Sequence, residues 1–241
     1  MRTAVAWARK MLRLSGFDVV RYHPGASAHA RRMHFLKQSG VDLVLDVGAN
    51  VGQYARALRR DGYAGRILSF EPLSGAYLQL LHASRRDNAW QAVRCALGAR
   101  EGTAILNVAG NSVSSSVLPM LPAHLRSAPE SAYVGAEEVP VRRLDSVLAE
   151  HGRPGERVFL KVDAQGSERA VLEGASGCLD AIAGIQLEMP LTPLYQGEAS
   201  MPELVEHMAS RGFALMSLEP AWSDPASGRL LQVDGLFFRD A

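Results

Sequence analysis

The sequence predicts an open α/β sheet with helices on both faces, and three observations lead to this prediction. An apolar strand, a glycine loop and a helix pattern follow one another over residues 43–60. A second apolar strand ends in Glu71, and two later buried strands end in Asp163 and Glu188. Strand, tight turn and helix in this order form the first unit of a doubly wound sheet. The ligands of such sheets bind beyond the carboxyl ends of the strands.

The glycine loop has the pattern Asp46-x-Gly48-x-Asn50-x-Gly52. Glycine at these two positions permits a sharp turn and lets a ligand approach the main chain. The N–H groups of the next helix point toward that ligand. The dinucleotide fingerprint G-x-G-x-x-G would have a second glycine where this chain has Asn50. The loop therefore differs from that of a nicotinamide-dependent oxidoreductase.

Two acids beside the loop predict the ligand. Asp46 suits an ammonium group, and Glu71, at the end of the second strand, suits the two hydroxyls of a ribose. An adenosyl ligand with an amino-acid tail has both groups, which predicts S-adenosylmethionine. The end of the third strand would lie beside the adenine. The predicted cofactor-binding residues are Asp46, Gly48, Ala49, Asn50, Gly52, Tyr54, Glu71, Pro72, Ala96, Leu97 and Asp163.

Residues 1–39 are predicted to form a helical arm packed on a domain that occupies residues 40–241. The arm carries eight Lys or Arg residues and one acid, Asp18, and apolar residues recur at helical steps over residues 5–12. A second helix is predicted over residues 28–39. Two alternatives remain open for the arm: it covers the cofactor, or its basic residues meet an anionic membrane surface.

The rest of the chain alternates between strand and helix patterns. Turn-forming residues at 224–228 predict a hairpin between the last two strands. Helices are predicted over 54–60, 74–84 and 201–211 and around Val171 and Leu172; strands are predicted over 66–71, 90–97, 158–163, 182–188, 213–218 and 231–238.

Residues 101–144 interrupt this alternation. Strands are predicted at 101–108 and 138–144, and the segment between them contains Ser114, Ser115 and Ser116 followed by several prolines. Long loops in compact domains are often lids or binding loops, so the three serines are candidate substrate-binding residues. A plain polar connection is the alternative.

Asp163 and Glu188 end neighbouring strands and are the candidate catalytic pair. Carboxylates at that edge could act as general base and orienting group, or could hold a Mg²⁺ ion that acidifies a hydroxyl. His124 in the long loop is a further candidate base. His207 is a weaker one, because it lies on a helix with apolar neighbours.

Length and composition fit one α/β domain of an ordinary globular protein. The chain has 241 residues, of which 47% are apolar and 21% charged, and a formal net charge of +1 that does not indicate a nucleic-acid partner. Cys95 and Cys178 do not have the spacing of metal ligands. We expect both to be reduced thiols in the core, as in a cytoplasmic protein. No apolar run has the length of a transmembrane segment, and Arg9, Lys10 and Arg13 interrupt the run that a signal peptide needs.

Several short motifs follow one another between residues 40 and 240. They are LDVGANVGQ (45–53), SFEP (69–72), the serines at 114–116, RLDS (143–146), LKVDAQGSE (160–168), the strand into Glu188, and LLQVDGLFFR (230–239). With this ordered set the chain resembles the FkbM-type family of S-adenosylmethionine-dependent methyltransferases. The family often has an acid where this chain has Gln165.

The resemblance implies a Rossmann-like class I methyltransferase fold, with seven strands and the last one antiparallel. It also implies transfer of a methyl group to a hydroxyl of a sugar, glycolipid or polyketide-like metabolite, with a divalent metal in some relatives. The expected partner is therefore a small-molecule, glycan or lipid acceptor rather than nucleic acid. The hairpin near Trp222 suggests a possible homodimer contact.

Three other functions compete with this prediction. An NAD(P)-dependent oxidoreductase is disfavoured by Asp46 and Asn50 and by the lack of a Tyr-x-x-x-Lys pair. A non-catalytic module that only binds S-adenosylmethionine is disfavoured because the acidic pair and the glycine loop are both present. Nucleic-acid methylation is disfavoured because the catalytic-loop motif Asn/Asp-Pro-Pro-Tyr is absent and no broad basic face is evident outside the amino terminus.

Overall fold

The computed structural model describes residues 2–239 of the chain, except the side chains of residues 2–6 and 8. The α-helices are α1 (Arg2–Leu14), α2 (Ala28–Gln38), α3 (Gln53–Arg60), α4 (Ser74–Ser84), α5 (Pro122–Ser127), α6 (Leu144–His151), α7 (Glu168–Gly174) and α8 (Met201–Ser210). The strands are β1 (Leu43–Val47), β2 (Arg66–Phe70), β3 (Trp90–Val93), β4 (Ala96–Leu97), β5 (Gly102–Ala109), β6 (Tyr133–Arg142), β7 (Val158–Val162), β8 (Ile182–Pro190), β9 (Phe213–Ser223) and β10 (Leu230–Arg239). Short 3-10 helices occur at Pro129–Ser131 and Leu179–Ala181.

A seven-stranded sheet with the order β3-β2-β1-β7-β8-β10-β9 forms the centre of the fold. Its strands are parallel except β10, which runs antiparallel to both neighbours. The strand order reverses between β1 and β7, so the loops after these two strands diverge and leave a crevice at their carboxyl ends. The predicted mostly parallel sheet with an antiparallel last strand is confirmed.

Helices cover both faces of this sheet. One face packs against α2, α3 and α4 through residues such as Leu36, Leu58 and Leu80. The other face packs against α6, α7 and α8, where Val171 and Leu204 are fully buried. Strands buried on both sides contain almost continuous apolar runs, which is why β1, β7 and β8 were predictable from sequence.

A second sheet of three strands, β4-β6-β5, corrects two predictions. The strand predicted over 90–97 is two strands, because Ala96 and Leu97 pair with β6 rather than continuing beside β2. The strand predicted at 138–144 begins earlier and ends at Arg142, and an unpredicted helix starts at Leu144. The loop between β5 and β6 contains the short helix α5.

The amino-terminal arm forms two helices, α1 and α2. Ala30 and Leu36 of α2 are buried, so this helix packs on the domain. The side chains of α1 from Met11 to Leu14 are exposed. The predicted apolar side of α1 also includes residues 5 and 8, and the side chains of these two residues lie outside the described part. Packing of the whole arm on the domain stays a prediction. Between residues 2 and 239, no helix has the length and apolar character needed to cross a bilayer.

Candidate active site

A cavity of about 890 Å³ opens at the carboxyl ends of β1, β2, β7 and β8. Ser115 and Glu188 line it, together with most of the predicted cofactor residues. These are Gly48, Ala49, Asn50, Tyr54, Glu71, Pro72, Ala96, Leu97 and Asp163. The predicted site residues outside the lining are Asp46, Gly52, Ser114, Ser116 and His124. The structure thus brings together residues from six separate segments of the chain.

The glycine loop needs glycine at both positions for different reasons. Gly48 has φ 73° and lies so close to the main chain of Asp163 that a Cβ would collide with its carbonyl oxygen. Gly52 has φ 86° and precedes α3, and a Cβ there would lie 2.8 Å from the ring of Trp90. Both backbones are in the left-handed region that only glycine adopts readily. Gly48 therefore shapes the cavity, whereas Gly52 turns the chain outside it.

Glu71 fixes the loop from the neighbouring strand. Its two carboxylate oxygens accept hydrogen bonds from the backbone N–H groups of Asn50 and Leu73, both at 2.8 Å. Each oxygen retains a second acceptor position, which a ribose hydroxyl could use. Burial raises the pKa of Glu71 to about 7, against the opposing effect of the two N–H donors. The predicted ribose position is therefore preformed by backbone contacts.

Replacing Glu71 with glutamine is expected to flatten the pH dependence of stability. The pKa of Glu71 is higher in the folded than in the unfolded chain, so the folded chain binds more protons between about pH 4.5 and pH 7 and loses stability as pH rises. This contribution is about 3 kcal/mol for one group. The contribution of Glu71 is measured by urea denaturation of wild type and variant at about pH 5 and about pH 8. Glu168, whose pKa is also about 7, adds the same pH dependence to both proteins, so the difference between them reports Glu71 alone. Equal pH dependences in the two proteins would contradict the prediction.

Asp46 does not face the cavity, which corrects the predicted contact with an ammonium group. It is fully buried on the same side of β1 as Val44, because side chains alternate along a strand. Its Oδ2 accepts from Ser69 at 3.0 Å, and its Oδ1 lies 3.4 Å from the ammonium of Lys161. Burial raises the pKa of Asp46, and the charge of Lys161 opposes that shift.

Lys161 joins the buried acid to the cavity. Its Nζ lies 3.4 Å from Asp163 Oδ2 and donates to the backbone carbonyls of Val47 and Gly48 at 3.2 Å. Although burial alone would lower the pKa of Lys161, the carboxylates of Asp163 and Asp46 raise it, so the lysine is charged. The ammonium that Asp46 neutralises is thus supplied by the protein. Lys161 also ties the end of β1 to the end of β7.

The acidic pair is held by side-chain amides. Gln165, with φ 50°, donates both N–H bonds of its amide: to Asp163 Oδ1 at 2.7 Å and to Glu188 Oε2 at 2.9 Å. Gln232 donates to the same oxygen of Glu188 at 2.7 Å. The buried hydroxyl of Tyr195 donates to Gln165 Oε1 at 2.7 Å, which fixes the orientation of the amide.

Glu188 has one fixed and one available carboxylate oxygen. Oε2 accepts both amide bonds, whereas Oε1 has no hydrogen-bond partner among residues 2–239. Burial, together with the charges of Asp163, Glu168 and Asp234, raises the pKa of Glu188 well above its ordinary value. A cavity-facing carboxyl with a raised pKa and a free oxygen can accept a proton from a bound hydroxyl.

The residues around Asp163 and Glu188 do not fit the predicted Mg²⁺ ion. The amide nitrogen of Gln165 contacts both carboxylates, and the ammonium of Lys161 contacts Asp163. N–H donors turned toward the carboxylates repel a metal cation, and the ammonium of Lys161 balances carboxylate charge in place of a metal. Within the part of the chain that the structure describes, no cluster of three or more His, Cys, Asp or Glu side chains could hold a metal ion.

The serine cluster contributes to the cavity through one of its three predicted residues. Ser115 lines the cavity, together with Ser112, which accepts a hydrogen bond from the amide of Asn50 at 3.1 Å. Ser114 and Ser116 are buried and hold the loop: the carbonyl of Ser114 lies near Tyr195, and Ser116 Oγ donates to the carbonyl of Gln165 at 2.6 Å. The loop is therefore held by contacts with Gln165 and Tyr195, which also hold the acidic pair, in addition to the turns within the loop.

His124 lies away from the cavity, so the structure does not bring this predicted base to the acidic pair. It is buried between Tyr195 and Trp222, with ring centroids 5.2 Å and 4.8 Å away. Burial lowers its pKa to about 4, so the ring is neutral near pH 7. Trp222, the suggested homodimer contact, thus packs on its own chain.

The cavity lining also contains polar residues that were not among the predicted site residues. Lys161 had a sequence signal, since a lysine in an otherwise apolar strand requires a charged partner. Gln186 and Asp234 had weaker signals, as polar residues in the middle of otherwise mostly apolar strands. These polar residues include Arg32, Ser112, Lys161, Gln165, Gln186 and Asp234.

Comparison with known proteins finds similarity to methyltransferases. The model of a family described as the methyltransferase FkbM domain matches residues 46–215. The methyltransferase sdnD of Sordaria araneosa is 31% identical over 155 residues, which are 54% of this chain and 59% of that protein. The chain thus spans less than two thirds of the length of this relative.

Two solved structures are similar at low sequence identity. A putative RNA methyltransferase from Pyrococcus horikoshii superposes with a TM-score of 0.48 and 11% identity, covering 89% of this chain and 85% of that one. TehB from Haemophilus influenzae has a TM-score of 0.48 and 9% identity, covering 88% of this chain and 62% of that one.

Proposed function

The chain belongs to the FkbM methyltransferase family, and from that membership we propose that it methylates a hydroxyl oxygen with Glu188 as the general base. S-adenosylmethionine is the methyl donor, and the acceptor is a hydroxylated small molecule, glycan or lipid. The observation that carries the proposal is the free Oε1 of Glu188 in a cavity that also contains the glycine loop and Glu71.

One half of the cavity, which we call the adenosyl half, is lined by the glycine loop, Glu71, Ala96 and Leu97. This half has the groups that the cofactor requires. Glu71 accepts the ribose hydroxyls, and the backbone of Gly48 and Ala49 lies open to close approach by the ligand. Ala96 and Leu97 provide an apolar wall for the adenine. Because the cavity continues from this half to Asp163 and Glu188, a bound sulfonium would supply its methyl group to an acceptor held beside the acidic pair.

The remaining part of the cavity supports a hydroxylated acceptor. Tyr54 donates to Gln186 at 3.0 Å, and Asp234 lies opposite Glu188 on the neighbouring strand. Pro220 and Ala221, at the end of β9, form a less polar side. Hydrogen-bonding groups beside an apolar wall suit a ligand that carries several hydroxyls on a carbon frame.

Methyl transfer then proceeds as one in-line displacement. The acceptor oxygen attacks the methyl carbon, the carbon–sulfur bond breaks with its electron pair going to sulfur, and S-adenosylhomocysteine leaves. Glu188 Oε1 accepts the hydroxyl proton, because a neutral alcohol is a poor nucleophile. Gln165 and Gln232 keep the carboxyl in position, and Lys161 fixes Asp163 beside it. We propose that this proton transfer needs no metal.

Calorimetric titration with S-adenosylhomocysteine tests the cofactor site. We expect binding that is unchanged by Mg²⁺ or EDTA, no comparable binding of NADH, and about tenfold or greater loss of affinity in Glu71→Gln, which retains the shape but lowers the acceptor strength. Glu101→Gln, an exposed carboxylate at the cavity rim, is the matched control and should bind normally. Preference for NADH would overturn the methyltransferase proposal, and Mg²⁺-dependent binding would overturn its metal-free form.

A further inference from the structure

The segment from Trp7 to Tyr22 leaves large apolar side chains in solvent. Trp7 is 67% exposed, Leu14 75% and Phe17 69%. Single exposed apolar residues are common on protein surfaces, but a continuous series of them marks an interaction site. We call this series the amino-terminal apolar surface; its members are Trp7, Met11, Leu12, Leu14, Phe17, Val19, Val20 and Tyr22.

The helical part of this surface has a defined direction. Trp7, Met11 and Leu14 follow the spacing i, i+4 and i+7 along α1, which places them on one side of the helix. Gly16, with φ 84°, ends the helix and turns the chain, so Phe17 follows directly after the last turn. Helix and extended segment together present a set of apolar side chains without a partner in the described structure.

Basic residues border this surface, and their charge is only partly neutralised. Arg13 pairs with Asp18 at 3.0 Å and Arg9 pairs with the same carboxylate at 3.5 Å. Lys10 and Arg21 are exposed and form no ion pair within residues 2–239. Asp18 is the one acid among residues 1–39. The segment therefore combines apolar side chains with a net positive charge.

We propose that the amino-terminal apolar surface docks on a bilayer that contains anionic lipids. A basic amphipathic helix with aromatic and leucine side chains on its apolar side lies in the plane of the membrane interface. Its cations are attracted by the negative surface potential, and its apolar side enters the boundary of the acyl chains. The net positive charge of the segment favours an anionic bilayer over a neutral apolar partner. This inference does not depend on the proposed reaction.

Vesicle co-sedimentation of the full chain tests the proposal. We expect about tenfold stronger partitioning to vesicles with about 30% phosphatidylglycerol in phosphatidylcholine than to phosphatidylcholine alone, and weaker binding at high salt. The double variant Met11→Glu and Leu14→Glu should lose this binding by about tenfold or more, since both added charges oppose insertion. Leu78→Glu is the matched control: Leu78 is 65% exposed on α4, outside this surface, and its variant should bind like wild type.

Three results would overturn the proposal. The first is equal sedimentation of wild type and the double variant. The second is no partitioning of the wild type to either vesicle. The third is a dimer in light scattering that the double variant converts to a monomer, because the surface would then serve a second copy of the chain. Circular dichroism should be unchanged in the variants, since the substituted side chains are exposed.

Discussion

Replacing Glu188 with glutamine is expected to lower kcat by about two to four orders of magnitude, with affinity for S-adenosylhomocysteine within about threefold of wild type. The amide of glutamine has the shape of the carboxyl group, but it cannot take up the proton of the substrate hydroxyl. Because the pKa of Glu188 is raised, wild-type kcat should increase with pH as the carboxyl loses its proton and then reach a plateau. The variant should lack this increase.

Asp234→Asn is the matched comparison for this variant. Asp234 lies opposite Glu188 in the same cavity, and burial raises its pKa as well. We expect a kcat reduced by no more than about tenfold and a pH profile that retains the wild-type increase. A large loss in Asp234→Asn with a small loss in Glu188→Gln would move the base to Asp234 and contradict the mechanism.

Replacing Gly48 with alanine is expected to lower the free energy of unfolding by about 3–5 kcal/mol and to weaken binding of S-adenosylhomocysteine by at least about thirtyfold. The added Cβ would meet the carbonyl oxygen of Asp163, which belongs to the backbone and cannot turn away as a side chain can. The collision would separate the ends of β1 and β7, where we propose that the cofactor binds. Urea denaturation and calorimetry measure the two effects.

The variant Gly228→Ala distinguishes the effect of steric collision from the effect of backbone strain. The φ of Gly228, 72°, is nearly that of Gly48, but no atom lies within 4 Å of a Cβ built on it. Gly228→Ala should therefore cost only the strain of the left-handed backbone, about 1–2 kcal/mol, and leave cofactor binding unchanged. Equal losses in the two variants would show that the contact with Asp163 has no separate effect.

The elements that were predictable from sequence are those whose pattern is local. The apolar run at 158–162 and the turn after Val47 indicate strand and glycine loop without knowledge of any other residue. The prediction over 90–97 was wrong because periodicity shows that a segment is extended but not which sheet it joins. Leu144 was assigned to a strand for the same reason, since one apolar residue fits the end of either element.

The site was predictable in its composition but not in its pairings. Glu71 and Asp163 directly follow β2 and β7, Glu188 lies near the end of β8, and all three line the cavity as expected. Asp46 was assigned to the ligand because its partner, Lys161, lies 115 residues away in the chain, and only the register of β1 and β7 brings the two together. The amide contacts of Gln165 likewise depend on a turn with φ 50° whose direction the sequence does not specify.

The neighbouring position of β1 and β7 has a consequence for the order in which the protein folds. During synthesis, β1, β2 and β3 emerge first, but the partner of β1 on its other side ends at Val162. Contacts between such distant segments form late, because closing a long loop costs conformational entropy before the contacts stabilise it. Until β7 joins the sheet, the three early strands therefore leave one edge of β1 unpaired. The cavity, which needs both sides of this pairing, forms only after the two parts of the chain have joined.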